Sequence, residues 1–271
     1  MKKLLLLSAL LIFACSSDDS SDTNDDNNTS SQRLIESVEL FSVQQCGEID
    51  GFISEEVFEI FYNSQNNPTS YNYQVFETSC DESYLVENSN NLIQYNQNSI
   101  FLNSDNEVNE FILNDNGFLE NVYSSYNLTY INGGLSSWNY SDDGNAGSVQ
   151  VIWENGNYVE INYLSDDNSF ERTYHYNYTN YENKTKLFNP ILIWHSPYLP
   201  LRQFLGATSQ KLISEVQWAY DNVSSLTVKV KYDYSFDGDG YVTYVTIGKY
   251  FLNEQNEYLD SEITYKLTYT N

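Results

Sequence analysis

The chain has 271 residues, 41% hydrophobic and 16% aromatic, with 12 Lys and Arg against 38 Asp and Glu, for a formal net charge of -26. A surface of that sign offers nothing to a nucleic acid and repels phosphate-rich partners, while it tolerates cations, neutral sugars and peptides. Three cysteines and two histidines leave little material for a metal centre or a catalytic triad.

Lys2 and Lys3 precede an apolar run over residues 4–13, interrupted only by Ser8 and Ala9. The run is too short to span a bilayer as a stable helix, so segment 1–14 is predicted to be a secretion signal. A small residue, Ala14, stands directly before Cys15, the pattern called a lipobox. Cys15 is therefore the expected lipid attachment site and mature first residue, its thiol bearing a diacylglycerol and its amine a third chain. Each buried methylene contributes roughly 0.8 kcal/mol, and more than one chain gives stable anchoring. An ordinary signal peptide with a chance cysteine is the alternative.

Residues 16–31 are Ser, Asp, Asn and Thr throughout. Such a stretch cannot bury enough surface to offset its ordering entropy, so 15–32 is expected to be a lipidated cysteine with a disordered acidic tether. Coil behaviour gives it a reach on the order of 20–25 Å. The cluster Cys15-Ser-Ser-Asp18-Asp19 resembles the signal by which Bacteroidota send lipoproteins to the outer leaflet of the outer membrane. That implies a domain facing outside the cell, with the periplasmic leaflet as the alternative. Cleavage removes two lysines and no acid, which takes the charge from -26 to -28.

In that compartment Cys46 and Cys80 are expected to form a disulfide. The closed loop, about 35 residues, would contribute roughly 4 kcal/mol as an upper estimate.

Residues 33–271 are expected to form a single antiparallel β domain, because Tyr 25, Phe 14 and Trp 4 suit a pleated, half-buried surface. Strands are predicted over 34–43, 55–62, 71–79, 99–103, 107–114, 118–124, 128–131, 149–154, 158–164 and 172–178. Asn116-Gly117, Gly133-Gly134 and Asn155-Gly156 mark turns between them. Near the C-terminus the period of two is plainest: Leu226, Val228, Val230, Tyr232, Tyr234 and Phe236 share one parity, and Thr227, Lys229, Lys231, Asp233 and Ser235 the other. Asp237-Gly-Asp-Gly240 turns the chain into 241–251, and a second turn at 253–257 leads to the strand containing 263–269.

Segment 187–212 breaks this rhythm with Pro190, Pro197 and Pro200, which exclude a paired central strand. Its apolar content predicts a crossover that packs over the apolar face of the sheet, with a helical turn around 199–205. The resulting fold class is all-β: an antiparallel meander of hairpins forming a strongly curved sheet or incomplete barrel, with one Pro-rich crossover cap.

Asn189-Pro190, Leu205-Gly206, Ser209 and Lys211-Leu212, followed by Tyr232-Asp-Tyr234 and Asp237-Gly-Asp-Gly-Tyr241, resemble a family of Bacteroidota surface lipoproteins of unknown function with a porin-like fold. The likeness covers about residues 110–270. It implies the antiparallel fold and the location, and no activity. A membrane-spanning barrel is disfavoured, since stretches such as 121–126 place polar residues on both parities where lipid would require an apolar band.

Enzyme signatures are absent: there is no G-x-S-x-G elbow, phosphate loop or H-E-x-x-H, and with 38 acids a close carboxylate pair identifies nothing. Asp237-x-Asp239-Gly240 begins like a calcium loop but lacks the bidentate Glu at the required offset, so it is expected to be a hairpin turn. No cofactor or metal is expected. Rings on an anchored β protein favour recognition of a glycan or protein partner; Trp194, His195, Tyr198 and Trp218 are the candidate ligand-binding residues, with Trp138 and Trp153 as further rings to test. A structural accessory subunit of an outer-membrane complex and a degradative enzyme are the alternatives.

Overall fold

The computed structural model describes residues 33–43, 53–79, 82–104, 107–122, 126–142, 145–165, 171–184, 201, 204–219, 226–253 and 256–270, all within one compact unit, Arg33–Asn271. Its strands are β1 (Ile35–Val43), β2 (Ile53–Tyr62), β3 (Pro68–Ser79), β4 (Glu82–Asn96), β5 (Ser99–Ser104), β6 (Glu107–Ile112), β7 (Asn121–Val122) and β8 (Tyr126–Ile131). They continue as β9 (Gly134–Asp142), β10 (Asn145–Glu154), β11 (Asn157–Ser165), β12 (Glu171–Glu182), β13 (Lys211–Ala219), β14 (Thr227–Phe236), β15 (Val242–Leu252) and β16 (Glu257–Tyr269).

All sixteen belong to one antiparallel sheet in the order β6-β5-β4-β3-β2-β1-β16-β15-β14-β13-β12-β11-β10-β9-β8-β7. The first strand pairs with the last, and β6 and β7 are left as the two edges. These edges meet at the Asn114–Gly117 turn, through a bridge between Leu113 and Leu119 and a 2.7 Å bond from the Glu120 N–H to the Ile112 carbonyl. Among the described residues no other pairing joins them. The sheet thus curls round to touch itself and stops short of a closed barrel.

Alternation supplies the core. On β14, Val228 and Tyr232 are buried and Tyr234 half-buried on one parity, whereas Asp233 and Ser235 are exposed on the other. Val38, Phe58, Ile100, Val149, Tyr176 and Leu267, from strands all round the sheet, join one cluster. The concave face is therefore the dry one. The convex face exposes Glu59, Asn127, Thr129, Asn139, Gln150 and Asn177, and pairs Lys229 with Glu215 (3.1 Å), Lys231 with Glu257 (2.7 Å) and Lys266 with Glu39 (2.8 Å).

The two ends of the sheet differ. At one, the turn end, connections are tight. Asn132-Gly133 and Asn155-Gly156 carry positive φ at both positions (51° and 79°, 50° and 76°), the geometry that matches strand twist in two-residue hairpins. A strap, residues 204–210, crosses this end. Its Phe204 carbonyl accepts from the Leu119 N–H (2.8 Å), its Ala207 N–H donates to Gly133 (2.8 Å) and its Gln210 N–H to Gly156 (3.0 Å). Leu201 and Leu205, each 1% exposed, plug the core beneath it. Gly206 has φ 77°, and a Cβ there would lie 2.4 Å from the Gly133 carbonyl oxygen, so the crossing requires glycine.

Several expectations need correction. Of the expected crossover, the described residues 201 and 204–210 cap one end of the core, its last residues Lys211-Leu212 already belong to β13, and 187–200 with Pro190, Pro197 and Pro200 lies outside the described residues. Leu201 and Phe204 each have 3-10 backbone geometry. Three strands were not foreseen, β4, β9 and β13, and the strand expected over 118–124 begins only with β7 because 113–120 is spent on the edge-joining turn. The segments 1–14 and 15–32 with Cys15, and the cysteines Cys46 and Cys80, lie outside the described residues.

Candidate functional site

At the opposite, loop end, strand periodicity brings a second set of core-facing side chains together. Moving along the concave face away from the strap, burial falls from Val149, Ile161 and Tyr176 (0%, 1% and 6% exposed) to the half-buried Tyr163, Tyr174 and Trp218. Cross-strand pairing sets Ile161 beside Tyr174, Tyr126 beside Tyr140, and Trp138 beside Val149, which in turn faces Tyr163. The rings form a run. Trp138 and Tyr163 meet edge to face at 6.0 Å, Tyr163 and Tyr174 at 5.4 Å, and Tyr174 and Trp218 tilt together at 4.9 Å. Such contacts hold the rings in place with about 0.5–1.5 kcal/mol each beyond their buried area.

Two local features let this aromatic wall form. Gly147 sits opposite Tyr140, and a Cβ there would lie 2.5 Å from the Tyr140 hydroxyl, so only glycine lets the ring lie across β10. Arg172 donates to the Tyr174 hydroxyl (2.9 Å) and lies over its ring at 5.8 Å. Burial, followed by the neighbouring Tyr174, Tyr140 and Tyr126, pushes the Tyr163 phenol up to about 12, with Arg172 acting in the opposite sense.

Facing this wall stands a polar one. In the sheet order β2–β4 lie about halfway round from β10–β12, and the meeting of β6 with β7 turns the two groups toward each other. Pairing aligns Glu56 with Val75 and Val75 with Glu87 on the core face, then Tyr73 with Ser89 and Tyr71 with Asn91 deeper in. Tyr73 donates to a Glu56 carboxylate oxygen at 3.2 Å, and burial, aided by the Glu56 and Glu87 charges, raises its phenol far above the ordinary range. Asn91 (2% exposed) donates to the Ser89 hydroxyl at 3.0 Å. The burial gradient repeats here, with Glu87 exposed and Asn91 enclosed.

Of the ligand-binding residues expected from sequence, Trp218 is placed in this wall, whereas Trp194, His195 and Tyr198 lie outside the described residues. Sequence reasoning missed Tyr126, Tyr140, Tyr163, Arg172, Glu56 and Glu87 as members of one site; the available signal was an aromatic at matching depth on successive strands. Trp153 is structural: its indole N–H donates to the Leu135 carbonyl at 2.7 Å and its ring packs on Tyr158. Asp237 is structural too. Its Oδ1 accepts from the N–H groups of Asp239 and Tyr241 (both 2.9 Å), and its Oδ2 pairs with Arg33 at 2.7 Å.

The fold is shared with a solved structure. Over 87% of this chain and 98% of the other, the fold resembles a porin-like protein from Bacteroides uniformis, with a TM-score of 0.65 and 16% sequence identity. The fold is porin-like. No protein-family model matches the chain, and no curated protein matches it. A spanning porin turns an apolar band outward and keeps a polar interior. Here the interior is mainly apolar and aromatic, with Glu56, Glu87, Ser89 and Asn91 along one side, and the convex face mixes Asn, Thr, Glu and Lys with the exposed Phe61, Val86, Leu92, Val108 and Ile152.

Proposed function

We propose that the chain is a membrane-anchored lipoprotein whose β domain is a non-catalytic binding module for a glycan or protein partner outside the cell. The ligand is taken up at the loop end of the concave face. The observation that carries this reading is the difference between the ends: one is plugged by Leu201 and Leu205 under the strap, while the other presents half-buried rings opposite acids. Flat apolar faces set beside hydrogen-bonding groups are the chemistry of recognition sites. The lipobox at Cys15 and the acidic tether support anchoring, and the ion pairs of the convex face support a domain held beside the membrane rather than within it.

Palmitate labelling and protease digestion of intact cells test the reading together. Labelling that disappears in Cys15→Ala, with digestion of the domain in whole cells, is expected. Absence of label would remove the anchor, and protection of a labelled domain would place it on the periplasmic leaflet and favour an envelope-assembly role.

A further inference from the structure

We infer that the loop-end site takes a neutral saccharide chain, its pyranose faces stacked on the half-buried Tyr163, Tyr174 and Trp218 and its hydroxyls directed to the acids opposite. This rests on the binding-module reading and specifies its ligand.

Three observations select the class. The first is shape: the half-buried Tyr163, Tyr174 and Trp218, from β11, β12 and β13, are fixed by mutual contacts at 4.9–5.4 Å and backed by the buried Trp138 of β9, so they line one wall with partly exposed ring surface. Sugar rings present apolar C–H faces of matching size, and stacking on aromatic faces needs no charge on the ligand.

The second is hydrogen-bonding complement. Glu56 and Glu87 opposite are acceptors when ionised, and saccharide hydroxyls are donors. Aliphatic peptide side chains would leave these carboxylates without compensation.

The third is charge. Between Leu34 and Glu171 the sequence has 23 Asp and Glu and no Lys, Arg or His. These residues supply β1 to β11, including the whole acidic wall. Arg172 is the cation of the aromatic wall, and its guanidinium is engaged by Tyr174. A uronate- or sulfate-bearing polymer would meet like charge at short range, where screening by salt is weakest. Neutral chains escape that penalty.

The test uses the full-length chain purified in detergent and run through native gels containing a neutral polysaccharide (β-glucan, xyloglucan, galactomannan or starch) or an anionic one (polygalacturonate, heparin). Retardation by at least one neutral polymer and by neither anionic polymer is expected. The Tyr174→Ala/Trp218→Ala variant should lose at least tenfold in affinity while its near-UV circular dichroism shows a folded domain. Tyr244→Ala, on the convex face, should bind as the parent does. If the double variant fails to fold, Trp218→Leu, which keeps the apolar volume and removes the indole face, replaces it and should show the same loss.

Retardation by an anionic polymer, no retardation by any neutral one, or unchanged affinity in the folded variants would overturn the inference. Palmitate labelling of the same preparation keeps the two readings apart: a labelled, surface-exposed chain that ignores neutral glycans leaves the anchored module standing without this ligand. An unlabelled chain that binds them does the reverse.

Discussion

The turn end and the loop end of this sheet are built from the same strands with the same alternation, yet they do different things. At the turn end a few hydrogen bonds from the strap stitch together connections far apart in sequence, and Ser209 joins the network. Its hydroxyl accepts from the Tyr158 N–H at 3.3 Å, and its carbonyl accepts from the Asn183 amide at 3.0 Å; the Tyr178 hydroxyl donates to the Tyr158 carbonyl. At the loop end the contacts among the described residues are those of the rings with one another and with Arg172. The difference teaches that one alternation gives different burial along its length: the strap encloses the turn end, while Tyr163, Tyr174 and Trp218 stay half-buried.

Alkaline titration sharpens the comparison most. Burial and neighbouring phenols raise Tyr158 and Tyr176 well above their ordinary value of 10.0, and burial does the same for Tyr178 and Tyr234. Unfolding frees these phenols to ionise, so above pH 10 the unfolded chain gives up protons that the folded chain keeps. Stability from this source is complete below pH 10 and falls as pH rises. Cooperative loss of strand structure above pH 10 is expected, with tyrosinate absorbance lagging until the domain opens. Complete tyrosine ionisation while circular dichroism stays native would break the picture.

Paired substitutions come next. Leu205→Ala beneath the strap should cost about 3 kcal/mol in urea unfolding, the loss for a buried leucine that leaves a cavity. Trp218→Ala, larger in volume but half-buried, should cost only about 1–2 kcal/mol, because part of its surface already faces water. Equal losses would mean that the loop end is as closed as the turn end.

The smallest effect belongs to the chain entry. Burial opposes ionisation of Asp237, but the Tyr241 and Asp239 N–H groups and then Arg33 outweigh it and hold the carboxyl below its ordinary value of 3.8. Its contribution is present above that value and lost as pH falls below it. Asp237→Asn should therefore lower stability by about 0.5 kcal/mol at neutral pH, as for an exposed pair, and by nothing in strong acid. A difference that persists in strong acid would show that the turn depends on more than charge.

Much of the fold was legible in the sequence, and the gaps have physical causes. β14 to β16 announce themselves because one parity is dry and the other wet along their length. β4 does not: ESYLVENSNNLIQYN places Glu87, Ser89 and Asn91 on the core side, so its pattern looks like a solvated loop. It is a strand because β3 and β5 flank it and satisfy its backbone. β9 was hidden for a related reason, since Ser and Asn alternate with Trp138 and Tyr140 over only a short stretch.

The site was less legible than the fold. Trp218 could be named as a candidate because tryptophans are few, but its partners Tyr163 and Tyr174 are ordinary members of a chain with 25 tyrosines. Only register distinguishes them from Tyr176, one step deeper and 6% exposed.

The sequence by itself determined the strand class, the hairpin turns and the two-faced character of the sheet, because period, turn chemistry and side-chain polarity are local properties. It also carries the charge that bears on the proposed ligand. Tertiary structure alone decided that β1 pairs with β16, that β6 and β7 meet at one end without closing, and that the strap plugs the turn end while acids face rings at the other. Those outcomes depend on how far the sheet curls, a sum of small twists over sixteen strands that no single stretch of sequence encodes.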